Sequence, residues 1–174
     1  MSDPGESYLI YLQDKGCDPG VIAHSLVVRD VAVGIADRII SRGEAAVDRD
    51  LVAAGAILHD IGRSETHGMD HADVGGRISR DIGLPESLSH IIERHIGAGL
   101  SGDERAAFGL CADDRFPESL EEKIVAHADN LVKGTRIISR EDLNHSIKKF
   151  PQSVQERFSA LADELETLAG SPLP

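Results

Sequence analysis

The sequence has few cysteines to cross-link the fold and no long apolar stretch to attach it to a membrane. Its 174 residues include two cysteines, Cys17 and Cys111, which lie far apart and outside any CxxC spacing. Neither a disulfide framework nor a thiolate zinc site is expected, and a reducing cytoplasm is the expected location. The N-terminal segment lacks a basic stretch followed by a long apolar run, and no uncharged stretch approaches the length of a membrane span. A membrane partner is therefore not expected.

Basic and aromatic residues are also scarce. The chain has 18 Lys and Arg against 30 Asp and Glu, so its formal net charge is −12. Because nucleic-acid affinity rests mainly on neutralised phosphates, this balance disfavours a nucleic-acid partner. Aromatic residues make up 3% of the chain, and together with Met69 they indicate no base-stacking platform. The length predicts a single domain over residues 1–174, with a hydrophobic core large enough to be stable without disulfides or a structural metal.

Helical periodicity runs through the chain, and no alternating strand pattern persists, so the sequence predicts an all-α bundle. A core of about residues 19–134 should carry C-terminal helices, at about 141–169, packed on it. The two PESL copies are interpreted as helix starts with Pro at the first position. The apolar face of the last helix either docks on the bundle or makes a homodimer. The expected helices cover residues 8–15, 19–42, 48–62, 71–82, 85–95, 120–133 and 154–168.

The first candidate functional residues are the dipeptide His59-Asp60, which lies in the apolar run LVAAGAILHDIGR. His24 falls in the middle of an apolar stripe of the second expected helix, and Asp129 lies just beyond the apolar arc of another. Chains rarely bury a carboxylate beside an imidazole unless the two are paired or hold a metal. Imidazole and carboxylate together suit a divalent ion such as Mn, Fe, Ni, Co, Mg or Zn. The sequence therefore predicts a metal site.

The ordered set His24, His59-Asp60 and Asp129 resembles the H…HD…D signature of the HD superfamily of metal-dependent phosphohydrolases. The resemblance extends over residues 21–133. The segments HADVGGRI, IIERHIGAG and EEKIVAHADNLVKG are also similar to a small, uncharacterised family of archaeal HD proteins. The resemblance implies an HD-type helical bundle in which these four residues hold a divalent metal, with Asp60 placed to bridge to a second metal where one exists.

The same resemblance implies roles for three further residues. His71 and His95 match histidines that HD hydrolases of diadenosine tetraphosphate and cyclic-dinucleotide phosphodiesterases add for a second metal. Arg63 matches a basic position that faces the substrate phosphate, for which a guanidinium is suited. The implied reaction is hydrolysis of a phosphate ester or anhydride, with a nucleotide as the expected small-molecule substrate. Asp60 would orient the attacking hydroxide, and Arg63 would stabilise the phosphate oxygens.

Several alternatives stay open at this stage. The number of metals is one or two, and two would favour a dinucleoside polyphosphate or similar substrate over a nucleoside monophosphate. His71 and His95 are equally well explained as surface histidines. The alternatives to metal binding by the two carboxylates are ion pairs, of Asp60 with Arg63 and of Asp129 with Lys133. The whole protein could be a non-catalytic, metal-stabilised nucleotide sensor or a di-iron oxygenase. His67 could donate a proton from a loop. His90, His127 and His145 are interpreted as structural, and loops 63–70 and 96–116 as the source of specificity.

Overall fold

A computed structural model describes residues 5–173, and residues 1–4 and 174 of the predicted domain lie outside that range. Within it, nine α-helices surround an apolar core, and one small antiparallel hairpin pairs β1 (Val132–Lys133) with β2 (Arg136–Ile137). The predicted all-α fold is confirmed. The helices are α1 (Leu9–Asp14), α2 (Pro19–Arg42), α3 (Arg49–Leu58), α4 (His71–Asp81), α5 (Glu86–Arg94), α6 (Gly102–Ala107), α7 (Leu120–Asn130), α8 (Arg140–Ser146) and α9 (Gln152–Ala169).

The long helix α2 begins and ends where the sequence predicts. Pro19 occupies its first turn, where the missing N–H costs no hydrogen bond, and Gly43 follows its last residue with φ +68°. At the start of α3, the side chain of Asp48 accepts a hydrogen bond from the backbone N–H of Leu51. This interaction satisfies one of the free donors of the first turn.

The core lies between α2, α3 and α7, with α5 packed against α3 and α7, and α4 packed against α5. Fully buried aliphatic side chains fill it, among them Val28, Ile35, Ile57 and Ile124. Small residues let the helices approach closely. A Cβ on Gly55 of α3 would meet Ile91 of α5 at 2.7 Å. The bundle therefore holds the ends of its helices in fixed relation, and those ends carry the residues singled out above.

Three expected helix boundaries are wrong. The third helix ends at Leu58, so His59-Asp60 lies in the turn between α3 and a 3₁₀ turn at Ile61–Ser64. The second PESL copy precedes α7, because the side chain of Ser119 accepts from Glu122 N–H and caps the helix there. That helix ends at Asn130, where the chain enters the hairpin. Helix α6 was not predicted, whereas α8 lies in the predicted C-terminal helical region; both are short and begin with a capping box.

Helix α2 is long and apolar enough to cross a membrane by length and composition alone, with a mean hydropathy of 1.4. A buried core helix passes the same test, and α2 packs one face on α3, α7 and α9. The C-terminal helix α9 buries Phe158, Leu161 and Leu165. Its apolar face is therefore used within the bundle, and the membrane and homodimer expectations remain predictions.

Candidate metal centre

Six of the predicted site residues converge at one place in the bundle. His24 comes from α2, and Asp129 comes from the last turn of α7. His59 and Asp60 occupy the turn after α3. His71 is the first residue of α4, and His95 immediately follows α5. Five of the six therefore lie at or beside a helix terminus, where the chain direction changes and side chains from different helices can meet.

Backbone carbonyls orient all four imidazoles of this centre. The Nδ1 atoms of His24, His59, His71 and His95 lie 2.7, 2.8, 2.8 and 2.7 Å from the carbonyl oxygens of Gly134, Ala56, Gly68 and Ile92. A carbonyl oxygen can only accept, so each Nδ1 carries the hydrogen. In a neutral imidazole, Nε2 then presents a lone pair. A second-nitrogen hydrogen bond of this kind is typical of histidines that bind metals.

We call His24, His59 and Asp129 the outer group. Asp129 Oδ1 lies 2.9 Å from His24 Nε2 and 3.5 Å from His59 Nε2. His59 Nε2 is buried and has no hydrogen-bond partner. These three ligand atoms lie within 4.8 Å of one another. Lone pairs of two imidazoles and a carboxylate thus point at a common position, which favours a cation there.

We call Asp60, His71 and His95 the inner group. Asp60 Oδ1 lies 3.2 Å from His71 Nε2 and 3.6 Å from His95 Nε2. The two Nε2 atoms are themselves 3.2 Å apart. Asp60 Oδ1 is buried and lacks an aligned hydrogen bond. Since two imidazole lone pairs at this separation repel one another, a shared cation relieves the repulsion and satisfies the carboxylate.

Asp60 connects the two groups through its two oxygens. Oδ1 faces His71 and His95, while Oδ2 lies 3.6 Å from His59 Nε2. Because the oxygens of one carboxylate point in different directions, a single Asp60 can contact two cations. The donor set of imidazole nitrogens and carboxylate oxygens fits the divalent ions expected from the sequence.

The electrostatics of the centre favour positive charge. Burial on its own lowers the pKa of His59, but Asp60 and Asp129 outweigh it and raise that pKa to about 9. Burial on its own raises the pKa of Asp60, yet the charge of His59 and the contacts with His71 and His95 hold it well below its usual range. Burial on its own also raises the pKa of Asp129, but the contacts with His24 and His59 hold that pKa well below its usual range. Both carboxylates are therefore ionised at neutral pH, as ligands must be.

Arg63 lies at the mouth of the inner group. Its Nε donates to Asp60 Oδ2 at 2.7 Å, and its Nη2 is 3.5 Å from His71 Nε2. The side chain is 29% exposed, so the guanidinium contacts both the buried centre and solvent. From the sequence, the ion pair of Asp60 with Arg63 was an alternative to metal binding. In the structure the ion pair is present, and the other ligands still converge on Asp60, so the two features coexist.

A glycine brings the inner group together. A Cβ on Gly62 would lie 1.9 Å from the carbonyl oxygen of His71 and 2.7 Å from the backbone nitrogen of Gly75. The 3₁₀ turn after Asp60 therefore rests directly on the backbone of α4, and only glycine permits this distance. This contact holds His71 beside Asp60.

A cavity of about 680 Å³ opens onto the outer group and includes Asp129 in its wall. Part of the wall comes from the loops expected to set specificity, through Met69, Ile96, Gly97, Gly99, Leu100 and Phe108. Another part comes from residues that follow the HD-like region and were not predicted as site residues. They include Lys149, Phe150 and Phe158, and Lys133 at the end of that region also contributes. No motif marks them, and only the packing of α8 and α9 against the bundle brings them to the centre.

The remaining histidines lie outside the two groups. His67 is exposed, with its Nε2 3.8 Å from Asp18. His90 lies on the surface of α5, 3.3 Å from Glu86, and His145 is exposed on α8. His127 is buried, and burial together with the charge of Arg140 lowers its pKa to about 4.

Known proteins resemble this chain over most of its length. A model of the HD domain matches residues 21–134. An uncharacterised protein of Methanocaldococcus jannaschii is 44% identical over 158 residues, covering 87% of this chain and 91% of that protein. A tRNA (cytidine(56)-2′-O)-methyltransferase of Picrophilus torridus is 40% identical over 166 residues, covering 95% of this chain. The chain spans about half of that second relative, 47% of its length.

Among solved structures, the chain resembles the HD domain of the L. monocytogenes phosphodiesterase PgpH in complex with cyclic-di-AMP. The TM-score is 0.57, and the match covers 97% of this chain and 99% of that domain at 16% identity. This likeness shows the shared fold. Together with the HD match over most of the chain, it leads to one conclusion: the chain belongs to the HD domain family.

Proposed function

We propose that this protein hydrolyses a phosphate ester or anhydride of a nucleotide, using two divalent cations that share Asp60. In general terms, metal-dependent phosphohydrolase chemistry of the HD type is supported by the family match and by the fold of its phosphodiesterase neighbour. The finer proposal concerns the residues, the number of cations and the substrate. It assigns one cation to the outer group with Asp60 and the other to Asp60, His71 and His95.

One observation carries the proposal. All four imidazoles donate Nδ1–H to backbone carbonyls and turn their Nε2 atoms toward two buried or half-buried carboxylates. A structural cluster of histidines would pair each Nε2 with an acceptor or donor of its own. Here His59 Nε2 and Asp60 Oδ1 have no such partner. Cation binding explains both facts.

When bound, a pair of divalent cations would supply an acidified water near neutral pH and would offset the negative charge that develops on phosphorus. Asp60, which is ionised, accepts a hydrogen bond from the attacking water and orients it. Arg63 donates N–H groups to the phosphate oxygens and stabilises the charge that builds on them. Because its guanidinium already contacts Asp60 and is partly exposed, it can bind phosphate without leaving the centre.

The substrate proposal rests on the cavity beside Asp129. Its volume of about 680 Å³ is in the range of small-molecule sites. The phosphodiesterase neighbour is seen with cyclic-di-AMP, a nucleotide with phosphodiester bonds. Shared cations of the proposed kind suit phosphodiesters and phosphoanhydrides better than simple monoesters.

A second candidate substrate is an RNA phosphodiester, because one relative is named as a tRNA methyltransferase and is about twice as long as the matched region. The net charge of −12 opposes it, since this chain by itself has few cations to neutralise a polyanion. A short RNA therefore belongs in the test as a comparison substrate.

The test is release of phosphate or nucleotide from a panel of nucleoside monophosphates, dinucleoside polyphosphates, cyclic dinucleotides and a short RNA. Each is assayed with Mn²⁺, Co²⁺, Ni²⁺, Mg²⁺, Zn²⁺ or, without oxygen, Fe²⁺. We expect turnover of a small nucleotide that falls at least about 100-fold in Asp60→Ala, more than is usual for loss of a group that only supports a ligand. Asp30→Ala, at an exposed position on α2, is the matched control and should keep activity.

Other outcomes point to the alternatives. Nucleotide binding without turnover of any substrate, together with a lower Tm in Asp60→Ala, would favour a metal-stabilised sensor. Consumption of dioxygen by the Fe²⁺ form, without phosphate release, would favour an oxygenase. Faster cleavage of RNA than of any small nucleotide would move the assignment to the second candidate.

A further inference from the structure

The wall of the cavity next to Asp129 is unusually rich in phenylalanine for this chain. Three of its four phenylalanines, Phe108, Phe150 and Phe158, line the cavity. Phe108 and Phe150 remain 54% and 39% exposed, among the most exposed large apolar side chains in the described residues. Exposed apolar surface grouped around a cavity is typical of a ligand site.

Two of these rings form a near-parallel pair. The ring planes of Phe150 and Phe158 differ by 15°, and their centroids are 6.3 Å apart. Phe150 lies between α8 and α9, and Phe158 lies on α9, so both come from the segment beyond the HD match. Parallel ring faces at the edge of a cavity allow a flat aromatic ligand to stack on them.

Positive charge accompanies the rings. Lys149 Nζ lies 5.2 Å from the centroid of Phe150, and Lys133 also contributes to the wall. The wall also includes two carboxylates, Asp129 of the outer group and Glu104, whose charge is balanced by an ion pair with Arg157. A ligand that suits this wall has both an aromatic ring and negative charge.

We propose that Phe150 and Phe158 form a base-binding subsite, in which the nucleobase of the substrate stacks while its phosphates extend toward Asp129. Lys149 and Lys133 bind phosphate oxygens between these two ends. This subsite rests on the proposed function for its phosphate end. It makes the C-terminal helices, and not the HD region, the determinant of substrate preference. Base–aromatic stacking tolerates different bases, so the preference is for nucleotides over base-free phosphates.

The test compares two ligands with the same anionic head. α,β-Methylene-ADP carries a nucleoside, methylenediphosphonate does not, and neither is cleaved at the bridging carbon. Calorimetry on the purified protein should give at least about tenfold tighter binding of the nucleotide, in line with stacking of one base. Phe150→Leu keeps an apolar side chain but removes the ring, and should abolish most of this preference while methylenediphosphonate binds as before.

Two further variants keep the test decisive. Phe158→Leu changes a buried ring and should also weaken the preference for the nucleotide. Ile40→Ala is the control: it removes an apolar side chain on α2 that is about as exposed as Phe150, and it should leave the preference intact. Equal binding of the two ligands by the unmodified protein would overturn the subsite, as would a preference unchanged in Phe150→Leu. A ring-dependent preference in a protein that hydrolyses nothing in the panel would uphold the subsite and reject the proposed function.

Discussion

The two ligand groups have the same chemistry but differ in exposure. In the outer group, the side chains of His24 and Asp129 are 15% and 23% exposed, that of His59 is fully buried, and Asp129 borders the cavity. In the inner group, Asp60, His71 and His95 are 7%, 6% and 2% exposed. Of the six ligands, only Asp129 of the outer group lies in the cavity wall. The inner group is enclosed, so a cation held there would act on substrate through Asp60 and Arg63.

The difference in burial also changes how much compensating positive charge each group requires. A buried carboxylate such as Asp60 needs compensating positive charge, whereas Asp129 retains some contact with water. Arg63 supplies part of that charge from the outside. We therefore expect the inner group to hold its cation more tightly and the outer group to exchange its cation more readily.

Removing one imidazole from each group gives the largest expected effect. We expect the unmodified chain to hold two cations, and His24→Ala and His95→Ala to hold one each, with turnover reduced by at least about 1000-fold. Loss of a direct ligand should exceed the 10- to 100-fold cost of losing a group that only supports one. Metal content after gel filtration, determined by mass spectrometry, measures the number of cations.

His90→Ala is the matched control, because His90 is a half-exposed histidine on α5 paired with Glu86. It should keep both cations. If His24→Ala and His95→Ala each lost all metal, the two groups would be one site and the comparison would fail. One cation in the unmodified chain, lost only in His24→Ala, would make the inner group a purely structural cluster.

The pH dependence of stability that comes from His59 should disappear when metal is added. In the chelator-treated protein the pKa of His59 is raised from 6.5 to about 9. Its contribution to stability is therefore complete below pH 6.5 and is lost as pH rises toward 9, by up to about 3 kcal/mol. With saturating metal, His59 must be neutral to bind, and above pH 6.5 the unfolded chain also carries it neutral, so no such slope should remain over this interval.

Urea unfolding at pH 6.5, 7.5 and 9, with chelator and with Mn²⁺, measures this difference in slope. His59→Gln should flatten the dependence in chelator, while the exposed His90→Gln should leave it unchanged. The same negative slope with and without metal would mean that His59 is not a ligand and that the outer group is not a metal site.

Gly62→Ala tests the inner group alone and has the smallest expected effect on the whole protein. The new Cβ must displace the start of α4, so we expect a loss of about 1–3 kcal/mol in unfolding free energy and one cation fewer, from the inner group. Gly34→Ala, in open space on α2, is the control and should be neutral or stabilising. Retention of both cations in Gly62→Ala would show that His71 is not needed for metal binding.

The sequence predicted the residues of the centre better than the elements that carry them. Apolar periodicity located α2 and α7, and with them His24 and Asp129, since side-chain spacing on a helix is regular. It could not show that α3 ends at Leu58, because the apolar run continues through His59 and Asp60 into the 3₁₀ turn. In that turn, burial comes from packing against α4 and not from helical spacing.

The cavity wall was the part that the sequence could not predict. The low content of aromatic residues led to the prediction that the chain has no base-stacking platform. Yet Phe108, Phe150 and Phe158 line one cavity. Phe108 precedes the other two by more than forty residues, and Phe150 and Phe158 lie in different elements, so no local pattern connects all three. Composition counts aromatic residues, but only tertiary packing decides whether they are scattered or grouped.

The backbone hydrogen bonds of the four imidazoles have a consequence for how this centre can change over generations. Each ring is oriented by a carbonyl oxygen, which every amino acid provides, and not by a particular neighbouring side chain. Substitutions around the histidines therefore leave their orientation intact as long as the helix ends stay in place. The surrounding sequence is free to diverge and to acquire new substrates while the ligand geometry is inherited unaltered.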